Sequence, residues 1–150
     1  MPAPASRRST ASLHVIDAVP EGDAAQGYVP GVCNIGPWEI RRRWAFGVSG
    51  LAIAGALLAL LVAVGAAPIA RLVVLIPAWG GMFSVLQARR HFCGAYALRG
   101  ISNFGNALET ARDVADDAAH RADMAGLARL TRDSFLIGLA LTIVAVLLPL

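Results

Sequence analysis

The chain has 150 residues, room for one domain, of which 57% are hydrophobic and 15% charged. Average soluble domains carry about 25% charged residues, so this balance, with a mean hydropathy of +0.61, argues against an ordinary water-soluble domain and for lipid. A net charge of +3 and a pI near 9.5 would suit nucleic acid, but the basic residues, all thirteen of them arginine, gather at the ends of apolar runs, where cations meet lipid headgroups; no nucleic-acid partner is expected.

Residues 1–32 are dominated by proline, alanine, serine and glycine with scattered acids, and read as a disordered cytoplasmic tail. Arg7 and Arg8 imitate the charged start of a signal peptide, but no apolar stretch follows them, so none is expected. A short element over residues 13–18 is the one candidate for local structure there.

The first helix is predicted to open at Pro37, which suits the first helical position, with Gly36 breaking what precedes it. Glu39 then lies near the positive end of the helix dipole and can pair with Arg43 four residues on. Trp38 and Trp44 are interface residues, alongside Arg41, Arg42 and Arg43. A hydrocarbon core of ~30 Å needs ~20 helical residues; the charge-free run 44–67 supplies 24, and Pro68 ends it. One face of this helix carries Ala52, Gly55, Ala56, Ala59 and Ala63. Spanning helices associate through close backbone approach at such small residues, and Ala78, Gly81 and Ser84 offer the matching surface on the second run. That run, 72–88, has 17 residues, is anchored by Arg89 and Arg90, and contains Pro77 and Gly80-Gly81 as candidate bends. The short connection makes the two runs an antiparallel hairpin.

Residues 104–133 are charged. Asn106 followed by Glu109 resembles a capping box, and Leu108, Ala111, Ala115, Ala118, Ala122 and Ala125 recur at heptad spacing. The expectation is a cytoplasmic helix with an alanine seam, ended or kinked at Gly126. Residues 134–150 form a third, 17-residue apolar run in which Thr142 is the one polar side chain between Phe135 and Leu148. The predicted fold class is therefore all-α: an integral membrane helical hairpin, a cytoplasmic amphipathic helix and a third, C-terminal transmembrane helix. Twelve of the thirteen arginines lie before Trp44 or after Ala88, and Arg71 alone lies between the first two runs. The positive-inside rule then puts the N-terminus and residues 89–133 in the cytoplasm.

Few residues carry chemistry. The hairpin brings Cys33, just before the first helix, and Cys93, just after the second, to the same side, with His91 nearby. Thiolates and an imidazole suit a metal, and two thiols suit a redox pair; ordinary packing accounts for the same residues. There is no Walker loop, His-Glu-x-x-His, Gly-x-Ser-x-Gly or Cys-x-x-Cys, and no ionisable residue inside any span, which weakens a transport role. No cofactor is implied.

The hairpin's ends have a recognisable form. Asn34-Ile35-Gly36-Pro37, Glu39-Ile40-Arg41-Arg42 and Gly47 form the entry; Cys93, Tyr96, Gly100 and Ile101 form the exit. Residues 33–103 thereby resemble the YgaP-like transmembrane domain family, whose exit pattern carries proline where Gly94 stands here. The resemblance implies a two-helix bacterial inner-membrane module that often dimerises. Some members are fused to a rhodanese domain that moves sulfur; no such domain fits in these residues, so that chemistry does not carry over. The expectation is a non-enzymatic scaffold or accessory subunit that associates with itself or with a larger membrane complex. The alternatives are a thiol-redox or sulfur-handling accessory using Cys33 and Cys93, and a subunit of a small-molecule transporter.

Overall fold

The computed structural model describes residues 27–106, 110–114 and 116–147. The tail before residue 27, with its expected 13–18 element and His14, lies outside them, as do Leu108, Glu109 and Ala115. Residues 27–32, expected to belong to the disordered tail, form an ordered strap. Val29 and Cys33 close a tight turn by exchanging backbone hydrogen bonds of 2.9 Å, and Tyr28 is buried.

Helix α1 runs Pro37–Ala63, with Pro37 and Glu39 in its first turn. Pro68 does not end it. The helix stops at Gly65, whose φ of +63° lets the Ala66 amide reach the Leu61 carbonyl and its own amide reach that of Val62, the pairing of a Schellman cap. Pro68 instead opens a 3-10 helix, Pro68–Val74, which runs straight into α2, Leu75–Arg89. Pro77 lies in the first turn of α2, where a missing N–H costs nothing. The end of α2 repeats the Schellman pattern with a non-glycine residue. His91 takes φ +52° while the Phe92 amide reaches back to the Gln87 carbonyl at 3.0 Å.

A short helix not foreseen in the sequence, α3 (Gly94–Arg99), follows and stops at left-handed Gly100. Two-residue strands β1 (Ile101–Ser102) and β2 (Arg112–Asp113) pair antiparallel, Ile101 opposite Asp113. The fold is thus mostly helical, but the all-α expectation misses this hairpin. It occupies ground assigned to a capping box at Asn106; the helix begins eleven residues later. Helix α4, Asp117–Leu147, is a single run of 31 residues, about 46 Å at ~1.5 Å per residue. Asp116 caps it, its Oδ1 accepting from the Ala119 amide at 2.6 Å. The charged helix and the third span are therefore one element, and Gly126 does not end it.

Helix α2 is the shared partner: α1 and α4 both pack on it. The α1–α2 crossing is made by glycines. A Cβ on Gly47 would lie 2.6 Å from Val85 Cγ2, and one on Gly81 would lie 2.8 Å from the Leu51 nitrogen, so any side chain at either position forces the helices apart. Gly81 was expected at this contact. Its partners were not: the face of α1 that turns inward carries Gly47 and Ala54, while Ala52, Gly55, Ala56, Ala59 and Ala63 are exposed. The α4 contact is similar, a Cβ on Gly138 meeting Trp79 Cα at 2.8 Å, and is pinned by Trp79 Nε1 donating to Ser134 Oγ at 3.2 Å. On α4 the buried stripe is Ala119, Asp123, Gly126, Leu130, Ser134, Gly138, Thr142 and Ala145. The expected seam is not the buried one: Ala118 and Ala125 are exposed, Ala122 is partly exposed, and Ala111 precedes the helix.

Three helical segments, Pro37–Ala63, Pro68–Arg89 and Asp117–Leu147, are long and apolar enough to cross a membrane. Their outer faces carry large apolar side chains, Ile69, Ile76 and Leu147 each more than two-thirds exposed, as surfaces facing acyl chains do and surfaces facing water do not. Within the bundle, Thr142 Oγ1 donates to the Gly138 carbonyl at 2.9 Å. Arg71, expected in the turn between the first two runs, lies instead in the 3-10 helix and turns inward. It is 4% exposed and Nη1 donates to the Ala145 carbonyl at 3.2 Å, a cation at the negative end of the α4 dipole.

Candidate functional site

The polar residues of the chain converge at the end of the bundle where α1 starts and α2 stops. The strap enters by threading between the two. The Asn34 and Ile35 amides donate to the His91 carbonyl at 3.1 and 3.3 Å, the Gly36 amide to the Asn103 carbonyl at 2.8 Å, and the Asn103 amide to the Asn34 carbonyl at 2.9 Å. Residues 33–36 thus behave as a short parallel strand beside residue 103. This places the Asn34 side chain over the start of α3. Its Oδ1 accepts from the Cys93 amide at 2.6 Å and its Nδ2 donates to the Cys93 carbonyl at 3.1 Å. An asparagine amide has one acceptor and one donor edge, and both are used on one peptide neighbour.

A second tier lies beside it. Glu39 is fully buried, a position a carboxylate tolerates only with partners. Its Oε1 accepts from the Tyr96 hydroxyl at 2.9 Å and from Arg42 Nη1 at 3.2 Å. Its Oε2 makes no hydrogen bond but is 3.5 Å from Arg43 Nη2, close enough for charge attraction and too long for a good bond. The same Nη2 donates to Cys93 Sγ at 3.0 Å. Asn103 completes the tier, Nδ2 donating to the Tyr96 oxygen at 3.4 Å and Oδ1 accepting from Thr110 Oγ1 at 2.7 Å and from the Gly105 amide at 3.1 Å. Burial pushes the Tyr96 hydroxyl above the ordinary phenol range; the hydrogen bond with Asn103 opposes that shift, and the Glu39 charge adds to it. Ile35, Cys93 and Tyr96 also form an apolar cluster against which Ile40 and Ile101 pack.

The residues singled out for chemistry lie at this clasp. Cys93 is fully buried and caps α3. Cys33 is half-buried, and burial raises its thiol pKa against a backbone hydrogen bond at Ile35 that lowers it. Both cysteines are free. His91 is exposed and works through its backbone, as the left-handed residue of a helix cap. No group of three His, Cys, Asp or Glu side chains suited to a metal ion occurs among the described residues. Among the interface residues, Arg41, Arg42, Trp44, Arg89 and Arg90 are exposed at this end and Arg43 turns inward. Trp38 lies under the Arg42 guanidinium, 4.9 Å from the ring centroid.

Two anchors were missed by sequence reasoning. Asp123 is fully buried and holds the strap, Oδ1 accepting from the Gly31 amide at 2.6 Å and Oδ2 from the Tyr28 hydroxyl at 3.1 Å. Gln87 Oε1 accepts from the Gly94 amide at 3.1 Å. Gln87 gave a signal, as the one polar side chain in the last turn of a largely apolar run; Asp123 gave none among its charged neighbours. The two pattern ends, Asn34 through Glu39 and Cys93 through Gly100, are thus joined by direct bonds across the hairpin. No protein-family model, no curated protein and no solved structure matches the chain.

Proposed function

We propose that this chain is a non-enzymatic, multi-span membrane protein, a scaffold or accessory subunit that associates with itself or with a larger complex through the small-residue face of α1. The observation that carries this reading is a division of labour between its two kinds of surface. The polar groups of the clasp face inward and are engaged by Asn34, Glu39, Tyr96 and Asn103 themselves, while Ala52, Gly55, Ala56, Ala59 and Ala63 stay exposed along a spanning helix. No atom lies within 4 Å of a Cβ built on Gly55, and a second helix can approach such a face closely. The meeting of the entry and exit patterns across the hairpin supports a YgaP-like module. The arginine distribution supports a clasp end in the cytoplasm, and the family likeness supports the bacterial inner membrane.

The test is the mass of the purified chain in detergent, for the natural sequence and for Gly55→Phe and Ala59→Phe. The natural chain is expected as a dimer or in a complex, and the variants as monomers of unchanged thermal stability. A natural chain that is strictly monomeric and brings no partner with it contradicts the proposal.

A further inference from the structure

We propose that a second site, the cleft between the strap, the end of α2 and the middle of α4, binds the phosphate headgroup of an anionic phospholipid. The cleft has a volume of about 340 Å³. Gly31, Phe92 and Gly126 form its neutral floor, and Arg90, Arg129 and Asp133 stand on its walls. The floor is closed by the tight seat of the strap on α4, where a Cβ on Gly126 would lie 2.8 Å from the Gly31 carbonyl oxygen.

Charge favours an anion. Arg90 and Arg129 line the cleft against one carboxylate, Asp133, which Arg132 also pairs; Asp123, behind the strap, is engaged by Gly31 and Tyr28. Asp133 occupies the place an anion would take. Its Oδ2 is 2.7 Å from Arg90 Nη2 and its Oδ1 2.9 Å from Arg132 Nη2. These pairs are solvent-exposed, the Arg90 side chain 41% so, and exposed ion pairs contribute little, so a phosphate can displace the carboxylate. Guanidinium groups bind phosphate oxygens in pairs, which selects phosphate over a simple halide. Arg129 Nη2 rests at 3.4 Å on the Gly31 carbonyl, a long bond that a charged acceptor outcompetes.

Depth favours a lipid over a soluble anion. Arg90 stands two residues after the apolar run of α2, and Asp133 directly precedes the charge-free part of α4. In a bilayer this level coincides with the headgroups, and a glycerophosphate entering here leaves its acyl chains along the exposed apolar flank of α4. The inference rests on the membrane reading of the chain.

The test uses the full chain in nanodiscs of equal phosphatidylglycerol and phosphatidylcholine, with retained lipids counted by native mass spectrometry. The natural chain is expected to retain phosphatidylglycerol about tenfold over phosphatidylcholine, the factor that corresponds to ~1.4 kcal/mol. Arg129→Gln alone lowers that preference, Arg90→Gln with Arg129→Gln abolishes it, and Asp133→Asn raises it severalfold, which a merely structural role for Asp133 would not do. Arg41→Gln with Arg99→Gln, equally basic and exposed but away from the cleft, leaves it intact. Equal retention of the two lipids by the natural chain overturns the proposal, as does an equal loss in the Arg41/Arg99 control. Displacement of the bound lipid by millimolar inorganic phosphate overturns the lipid source in favour of a soluble phosphate. A chain that washes off vesicles in alkaline carbonate fails the membrane reading itself; one that resists the wash and shows no lipid preference fails this proposal alone.

Discussion

Asn34→Ala isolates the clasp. The substitution removes both side-chain bonds to Cys93. The Cys93 carbonyl keeps a partner, because the Ala97 amide donates to it at 3.1 Å, so the loss of that bond costs about 1 kcal/mol. The Cys93 amide donates to the Asn34 oxygen at 2.6 Å, and its residue is fully buried; an orphaned buried donor costs ~1–3 kcal/mol. The expected total is about 2–4 kcal/mol, a large share of the ~5–15 kcal/mol that keeps a domain folded. Thermal unfolding in detergent, followed by circular dichroism, should shift down by roughly 5–15 °C at the ~2–4 °C per kcal/mol typical of this chain length. The same loss also raises the population of locally open clasp by about a hundredfold at ~1.4 kcal/mol per decade, which labelling of the Cys93 thiol reads directly. Asn106→Ala, at an exposed position, serves as the control and should stay within ~0.5 kcal/mol of the natural chain. If Asn34→Ala behaves like that control in both assays, the clasp does not hold the hairpin ends and the reasoning fails.

Two further perturbations test the packing and the thiols. Gly81→Leu drives a side chain into the Leu51 backbone and should cost at least the ~1–3 kcal/mol of overpacking, whereas Gly80→Leu, with nothing within 4 Å of its Cβ, should be close to neutral; equal effects in the unfolding assay would contradict the crossing. Of the cysteines, Cys33 should label in the native state but slowly, because burial holds its pKa above the usual thiol value and the thiolate is the reacting form. Its rate should therefore still be climbing with pH where a free cysteine has levelled off. Cys93 should label only on opening or unfolding. Rapid native labelling of both at neutral pH would favour the thiol-redox alternative over the scaffold.

The spans were legible because lipid imposes one simple demand: long runs without charge. Residues 44–63, 72–88 and 134–147 fall within helices long enough to cross, the last four residues of the first expected run forming the turn instead, and the Glu39–Arg43 pair forms as its four-residue spacing suggests. Rotational setting was not legible. Small residues occur around much of α1, and nothing in their spacing tells Gly47 and Ala54, which turn inward, from Ala52 and Ala56, which do not. That choice is made by Val85 and Leu51 on the two sides of the crossing, residues distant in sequence. The alanine seam misled for a related reason. Its period was real, but α4 is amphipathic about Asp123 and Leu130, and a buried aspartate is invisible to an apolar pattern until Tyr28 and the Gly31 amide are seen to satisfy it. The clasp was half legible. Both of its sequence patterns stood out, yet the bonds between them depend on residues 33–36 pairing with residue 103, a contact that no local rule announces.

The central claim is that three helices cross a bilayer, so that the Gly65 turn and the clasp lie on opposite sides of it. Cysteine accessibility measures this directly. In a Cys33→Ser, Cys93→Ala background, Ala67→Cys and Ala118→Cys, both exposed positions, are labelled by a membrane-impermeant maleimide in sealed vesicles of one orientation. One of the two should react before the vesicles are broken and the other only afterwards. Labelling of both, or of neither, in sealed vesicles would contradict the three-span account.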